Sequence, residues 1–201
     1  MAPAYSPLYE TIAAVLRNRR PRAAEAAGFR RAAVLLPLFE ASDGPALLLC
    51  RRTQSVPTHK GQIGFPGGGS QPADADLTAT ALREVEEEIG VRPADVAVLG
   101  VLDDTVAASS RHIVRPVVGV IPYPAQLRLD PFEIVETLSM PLLPLLRGAP
   151  FREETWEREG DPVSVLSYDH AGQIIWGLTA RILKQFVDLV REPLGARGLL
   201  D

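Results

Sequence analysis

The stretch GGGSQPADADLTATALREVEEEIGV, residues 67–91, joins a run of glycines to a segment crowded with acid. Its second half reads as a helix over Asp76 to Ile89. Asp74 or Asp76 suits the N-cap, and Gly90 suits the C-terminal end. Leu82, Val85 and Ile89 are spaced i, i+3, i+7 and predict one core-facing stripe. Glu84 and Glu88 are four apart and Glu84 and Glu87 three apart, so they neighbour one another on a helix surface. Four glutamates and Arg83 place a charge of about −3 between residues 83 and 88. Like charges at this spacing cost a helix a few tenths of a kcal/mol each. A divalent cation turns that repulsion into coordination, and carboxylate oxygens are the hard ligands that Mg²⁺ and Mn²⁺ prefer. The glycines ahead of the helix permit close backbone approach and positive φ.

Working outward, the rest of the chain predicts helices interleaved with short strands. Ser6 to Arg17 reads as a helix, Ala32 to Phe39 and Ala46 to Arg52 as a hairpin, and Gln62 to Phe65 as a short strand broken by Pro66 and the glycines. Val96 to Leu102, Val114 to Ile121 and Val163 to Tyr168 read as strands, with a polar loop over Asp103 to His112. Pro131 to Leu146 reads as a strand end or turn followed by a short helix. Trp176 to Arg191 predicts a final amphipathic helix, and Glu192 to Asp201 a loose tail. There is no internal repeat. The class is α/β or α+β, with residues 1–201 expected as one domain whose core spans about residues 30–192.

Composition narrows the partners. The 201 residues are 46% hydrophobic and 23% charged, ordinary for a globular chain, with a net charge of −4. That balance and the lack of a long basic stripe argue against nucleic acid as partner. No apolar run approaches the ~18 residues of a membrane span, and the opening MAPAYSPLYE does not resemble a signal peptide. A single cysteine, Cys50, reads as a small buried hydrophobe and fits a reducing, cytoplasmic setting.

The 67–91 stretch resembles a Nudix box. That pattern runs Gly, five residues, Glu, seven residues, Arg-Glu, an apolar residue, any residue, Glu-Glu, any residue, Gly and an apolar residue. Arg83, Glu84, Val85, Glu87, Glu88, Gly90 and Val91 match its second half, and Gly69 falls on its first glycine. Ala75 stands where the early glutamate belongs, with Asp74 and Asp76 on either side. A second resemblance is to the coenzyme A pyrophosphatases of that superfamily. Arg52, Gly61 and Phe65 to Gly68 fit their signature, as does Ile175-Trp176-Gly177-Leu178-Thr179-Ala180; Cys50, Thr53, Pro57 and Gln173 depart from it.

The resemblance implies an α/β/α sandwich around a mixed sheet. It implies metal-dependent hydrolysis of a pyrophosphate, from coenzyme A to 3′,5′-ADP and 4′-phosphopantetheine. Glu84, Glu87 and Glu88 become the ligands for Mg²⁺ or Mn²⁺, and Arg83 the partner that holds a glutamate rotamer. The general base is Glu88 or a loop acid, Glu136 or Glu133; Asp103 and Asp104 are further candidates. Arg52 and Lys60 are expected on the substrate phosphates, with the Gly67–Gly68 backbone. Arg51 and Arg52 alternate on a strand, so only one of them faces the site. His59 is a candidate loop contact; His112 and His170 carry no expected role. Trp176 is expected in the core or a dimer seam, and a homodimer stays open. Two other readings stay open as well: hydrolysis of ADP-ribose, a dinucleotide or a nucleoside triphosphate, and a catalytically silent binding module of the same fold.

Overall fold

A computed structural model describes residues 6–55, 60–122, 127–148, 150–158 and 161–200. Pro57 and His59 lie outside the described residues. Helix α1 (Pro7–Arg17) leads into strand β1 (Arg30–Ala41), which turns into β2 (Gly44–Arg52) as a hairpin. Two short strands follow, β3 (Ile63–Gly64) and β4 (Gly67–Gly69), then helix α2 (Leu77–Ile89). Strands β5 (Ala97–Val101), β6 (Thr105–Ala107), β7 (His112–Val120) and β8 (Ile134–Pro141) complete the main sheet. Its order is β3-β2-β1-β7-β5, with β4 on β1, β6 on β7 and β8 on β2. β1 and β7 run parallel and the other pairs antiparallel, so the sheet is mixed. Helix α3 (Leu142–Gly148), a second antiparallel sheet of β9 (Phe151–Arg158), β10 (Asp161–His170) and β11 (Gln173–Trp176), and helix α4 (Gly177–Gly195) follow.

Side-chain alternation along β1 and β2 divides the core in two. Leu36, Leu38, Leu47 and Leu49 face α1, α3 and α4. Ala33, Leu35, Phe39, Leu48 and Cys50 face the other way, against Ala81, Val85 and Ile89 of α2. The main sheet therefore lies between helices, as an α/β/α sandwich. Each of the fully buried leucines contributes roughly 1.5–3 kcal/mol.

Four sequence expectations change. The glycine run does not simply break the chain: Gly67, Gly68 and Gly69 form a strand opposite Val34, Ala33 and Ala32. The stretch read as a polar loop over Asp103 to His112 holds a short strand, Thr105–Ala107, antiparallel to β7. Strands β9 and β11 carry no clear alternating apolar pattern, and sequence reading passed over them. The tail is not loose: α4 runs on to Gly195 through Pro193, Leu194 is fully buried, and Leu199 and Leu200 pack on the core.

Asp103 and Asp104 are not at the site; they anchor the segment after α1. Asp103 pairs with Arg19 and with Arg22 at 2.8 Å, and accepts the Arg22 backbone N–H at 2.8 Å. The Asp104 carboxylate is sealed from solvent between Arg115 and Arg31, the latter at 2.9 Å, and it accepts the Ala24 N–H at 3.1 Å. Burial raises both carboxyls, but their hydrogen bonds and arginine partners outweigh it and hold both below the ordinary value. A lowered folded pKa means stability that is present above the unfolded value of 3.8 and is lost as pH falls through the folded one. Removing one partner of a buried ion pair costs about 3–5 kcal/mol, and the lower end applies because Arg31 stays 36% exposed. Asp104→Ala should lower Tm by about 6–12 °C at pH 7, and the gap to wild type should narrow below pH 4, which thermal melts across pH will read.

Candidate active site

Helix α2 starts where Asp76, in extended conformation, accepts the Ala79 N–H at 2.8 Å. It ends at Gly90, left-handed at φ 75°. Its last turn is capped from outside, because Arg128 N–H donates to the Ile89 carbonyl and Asp130 N–H to the Glu88 carbonyl, at 3.1 and 2.9 Å. These bonds satisfy carbonyls that a free helix end leaves unpaired, and they pin the 127–133 segment against the acidic helix.

The helix buries one glutamate with its apolar stripe. Glu88 is 2% exposed. Its Oε2 accepts the Gly67 N–H at 2.9 Å, and its Oε1 accepts Arg52 Nη1 at 3.0 Å. Burial pushes its carboxyl up to about 7, against the lowering effect of Arg52 and the Gly67 N–H, and nearby Glu133 and Glu84 push the same way as burial. The other nitrogen of the Arg52 fork donates to Glu133 at 2.9 Å. Glu84 is largely buried too, and burial raises its carboxyl while Arg83 opposes.

Two glycines make this closeness possible. Gly67 sits at φ 151°, and a Cβ there would meet the Ala33 carbonyl oxygen at 2.4 Å and Val34 Cα at 2.6 Å. At Gly68 a Cβ would meet the Glu84 carboxylate at 2.6–2.8 Å. The backbone thus lies directly on both β1 and the carboxylate.

Arg83 is the hub of the outer side. It donates to Asp74 at 3.0 and 3.2 Å, to Glu84 at 2.8 Å, to Glu87 at 2.9 Å and to the Gly69 carbonyl at 3.0 Å. Asp74 also accepts the Thr80 hydroxyl at 2.9 Å and the Gln71 N–H at 2.8 Å. Its carboxyl is held well below the ordinary range, first by Arg83 and then by Gln71. Beside Ala75, Asp74 supplies a carboxylate that orders Arg83. Sequence reading weighed Asp74 as a cap and missed this role.

The structure therefore brings Arg52, Gly67, Gly68, Arg83, Glu84, Glu87 and Glu88 together, and it adds Glu133 and Asp74. It does not bring in Glu136. Strand register sets Arg51 opposite Glu136, so both point to the far face of the sheet. There Arg51 donates to Glu136 at 2.7 Å and to Gln173 at 2.6 Å. A register shift between Arg51 and Arg52 leaves Glu133 on the Arg52 side. Lys60 is exposed, with no bond to the carboxylates among the described residues. His170 Nε2 lies 3.2 Å from the Ser139 carbonyl oxygen, away from the group.

The donor set suits a hard cation, since it consists of carboxylate oxygens. Among the described residues no three of them are gathered as a ready cage. Mg²⁺ does not need one, because it takes one or two carboxylates and fills its remaining positions with water and phosphate.

The chain that carries this helix, its glycine strand and its arginine hub is similar to known proteins. The NUDIX domain model matches residues 28–147. The uncharacterized Nudix hydrolase NudL of Photorhabdus laumondii is 38% identical over 162 residues, covering 81% of this chain and 86% of that protein. NudL of Yersinia pestis is 37% identical, covering 80% of each. A crystal structure of a Nudix hydrolase from Alicyclobacillus acidocaldarius superimposes with TM-score 0.52 at 20% identity, covering 86% of this chain and 97% of that one, and shares its fold. The chain belongs to the Nudix hydrolase family. No described helix is long and apolar enough to cross a membrane.

The buried Glu88 makes a prediction about the metal-free protein. An unfolded glutamate ionises near 4.5, whereas this one holds its proton up to about 7. The stability tied to the protonated form is fully present below pH 4.5 and is lost as pH rises through 7. With EDTA present, Glu88→Gln should match wild-type Tm near pH 5 and exceed it by several degrees at pH 8. Equal melting curves at both pH values would contradict the burial of this charge.

Proposed function

We propose that the chain hydrolyses the pyrophosphate link of a nucleoside diphosphate derivative, with coenzyme A as substrate and 3′,5′-ADP and 4′-phosphopantetheine as products. The observation that carries the hydrolase reading is the seam of Glu84 and Glu88 beneath Gly67 and Gly68, with Arg52 and Arg83 in contact. The coenzyme A assignment rests on the sequence pattern around Arg52, Gly61, Phe65 to Gly68 and Ile175 to Ala180.

In this reading Glu84, Glu87 and Glu88 would supply the carboxylates for Mg²⁺ or Mn²⁺, one or two to an ion, with water and substrate phosphate as its other ligands. When bound, the ion supplies charge neutralisation at the phosphoanhydride and a more acidic water. The chain does the rest. Gly67 N–H and Arg52 orient the Glu88 carboxylate. Arg83, itself ordered by Asp74, fixes Glu84 and Glu87; such supporting bonds hold ligand rotamers in place. The Arg52 fork suits phosphate oxygens at the same place. Glu133 is the loop base, supported by its bond to Arg52 and its influence on Glu84 and Glu88. One feature favours the second reading, another nucleoside diphosphate: Gln173, where the coenzyme A pattern has histidine, is tied up with Arg51. The intact acidic triad argues against a silent module.

A panel of coenzyme A, ADP-ribose, a dinucleotide and a nucleoside triphosphate, run with Mg²⁺ or Mn²⁺ and product identification, tests this. Coenzyme A should yield 3′,5′-ADP, and EDTA should abolish the yield. No coenzyme A cleavage beside fast cleavage of another compound would transfer the assignment to that compound; inactivity on all would favour the binding module. Glu88→Gln should lower kcat at least about 100-fold, and Asp74→Ala about 10–100-fold. Glu133→Gln should cost about 100-fold while Glu136→Gln stays within a few-fold of wild type, and the reverse order would return the base to Glu136.

A further inference from the structure

Two consecutive residues at the end of β2 take hold of one residue in the turn that leads into β8. Arg52 Nη2 donates to the Glu133 carboxylate at 2.9 Å. Thr53, the next residue, holds the backbone on both sides of Glu133. Its hydroxyl donates to the Phe132 carbonyl at 2.8 Å, and its N–H donates to the Glu133 carbonyl at 2.8 Å. Those carbonyls belong to the two peptide groups that flank the Glu133 Cα. A peptide group is planar, so fixing both leaves Glu133 little freedom in φ and ψ. The Arg52 fork then fixes the far end of its side chain.

The N–H groups of the turn close on a different residue. Asp130 Oδ1 accepts the Phe132 N–H at 2.9 Å, and the Asp130 carbonyl accepts the Glu133 and Ile134 N–H groups at 3.1 and 2.8 Å. Asp130 N–H in turn donates to the Glu88 carbonyl at 2.9 Å. The turn is thus tied to β2 through Thr53 and to α2 through Asp130. In the tie to β2, the hydroxyl is the part that a substitution can remove. Thr53 is 8% exposed. Valine has nearly the same shape and would fill that space, but it would leave the Phe132 carbonyl without this donor. The hydroxyl also accepts the Ser55 N–H, at a longer 3.3 Å.

We infer that Thr53 is a positioning residue, whose hydroxyl sets the backbone of Glu133 so that its carboxylate meets Arg52 beside Glu88. This rests on the reading of Glu133 as the loop base, and it adds the group that aims that base. Thr53 acts through Glu133 and not on the substrate itself.

The test uses the full chain with Mg²⁺ and whichever compound of the substrate panel is cleaved. Thr53→Val should lower kcat about 10–100-fold, as a misplaced catalytic group does, and leave KM within about twofold. Thr53→Ser, which keeps the hydroxyl, should stay within about threefold of wild type. In a Glu133→Gln background Thr53→Val should cost less than about twofold more, because the group it aims is already gone. Should Thr53→Val not fold, Thr53→Ala makes the same comparison. An equal loss from Thr53→Val in both backgrounds would show a merely structural role and overturn the inference, as would a serine variant as impaired as the valine one. Wild-type kcat in Thr53→Val, beside a Glu133→Gln variant that is impaired, would also overturn it and leave Glu133 as the base. Wild-type kcat in Glu133→Gln, or inactivity of the wild-type protein on every compound, would overturn the base reading and the role of Thr53 with it.

Discussion

Glu88 is a carboxylate buried in the seam between helix α2 and the glycine strand β4, and the surrounding structure is arranged around that one charge. A carboxylate removed from water needs donors on both oxygens. Here one comes from a backbone N–H, at a residue where no side chain fits, and the other from an arginine on the neighbouring strand. Gly67 and Gly68 must therefore be glycine, β4 lies against β1, and β2 ends at Arg52 on the α2 face. The apolar stripe of Ala81, Val85 and Ile89 holds the helix at the matching height. A polar site is placed here by hydrophobic packing along the same helix.

The same logic explains an odd composition. Nineteen of 21 basic residues are arginine. Nearly every ion pair among the described residues uses one, with Lys184–Asp188 the exception. Arg52 and Arg83 each reach two or more acceptors with one planar fork, which a lysine ammonium does less selectively. Away from the site, Asp103 and Asp104 use arginines to fasten residues 19–31 across the sheet. Two acidic clusters thus serve different ends. One is fully compensated and structural. The other is only partly compensated, and burial raises its Glu84 and Glu88 carboxyls.

Much of the site was legible because its spacing is local. Arg83, Glu84, Glu87 and Glu88 fall within two helical turns, and helix geometry alone brings them together. Asp76 and Gly90 bracket that helix by cap chemistry that any sequence shows. The alternation of Arg51 and Arg52 also held, since a strand has a fixed period of two. Glu133 and Glu136 were not separable in this way. Their assignment turns on a register shift between β2 and β8, and a one-residue slip exchanges the two faces of a strand. Strands β9 and β11 escaped for a related reason: β9 mixes charged and aromatic residues without a clean alternation, β11 is only four residues long, and pairing with β10 decides their state.

The amino-acid sequence by itself determined the acidic helix, its caps, the hairpin before it and the family to which the chain belongs, because each depends on contacts a few residues apart. Only the tertiary structure decided that the glycine run is a strand, that Asp74 orders Arg83, that Asp103 and Asp104 hold the fold, and that Glu133 rather than Glu136 meets Arg52. Those outcomes depend on which segments meet across the sheet. Long-range pairing is chosen by the packing of the whole core, and no local window of sequence contains it.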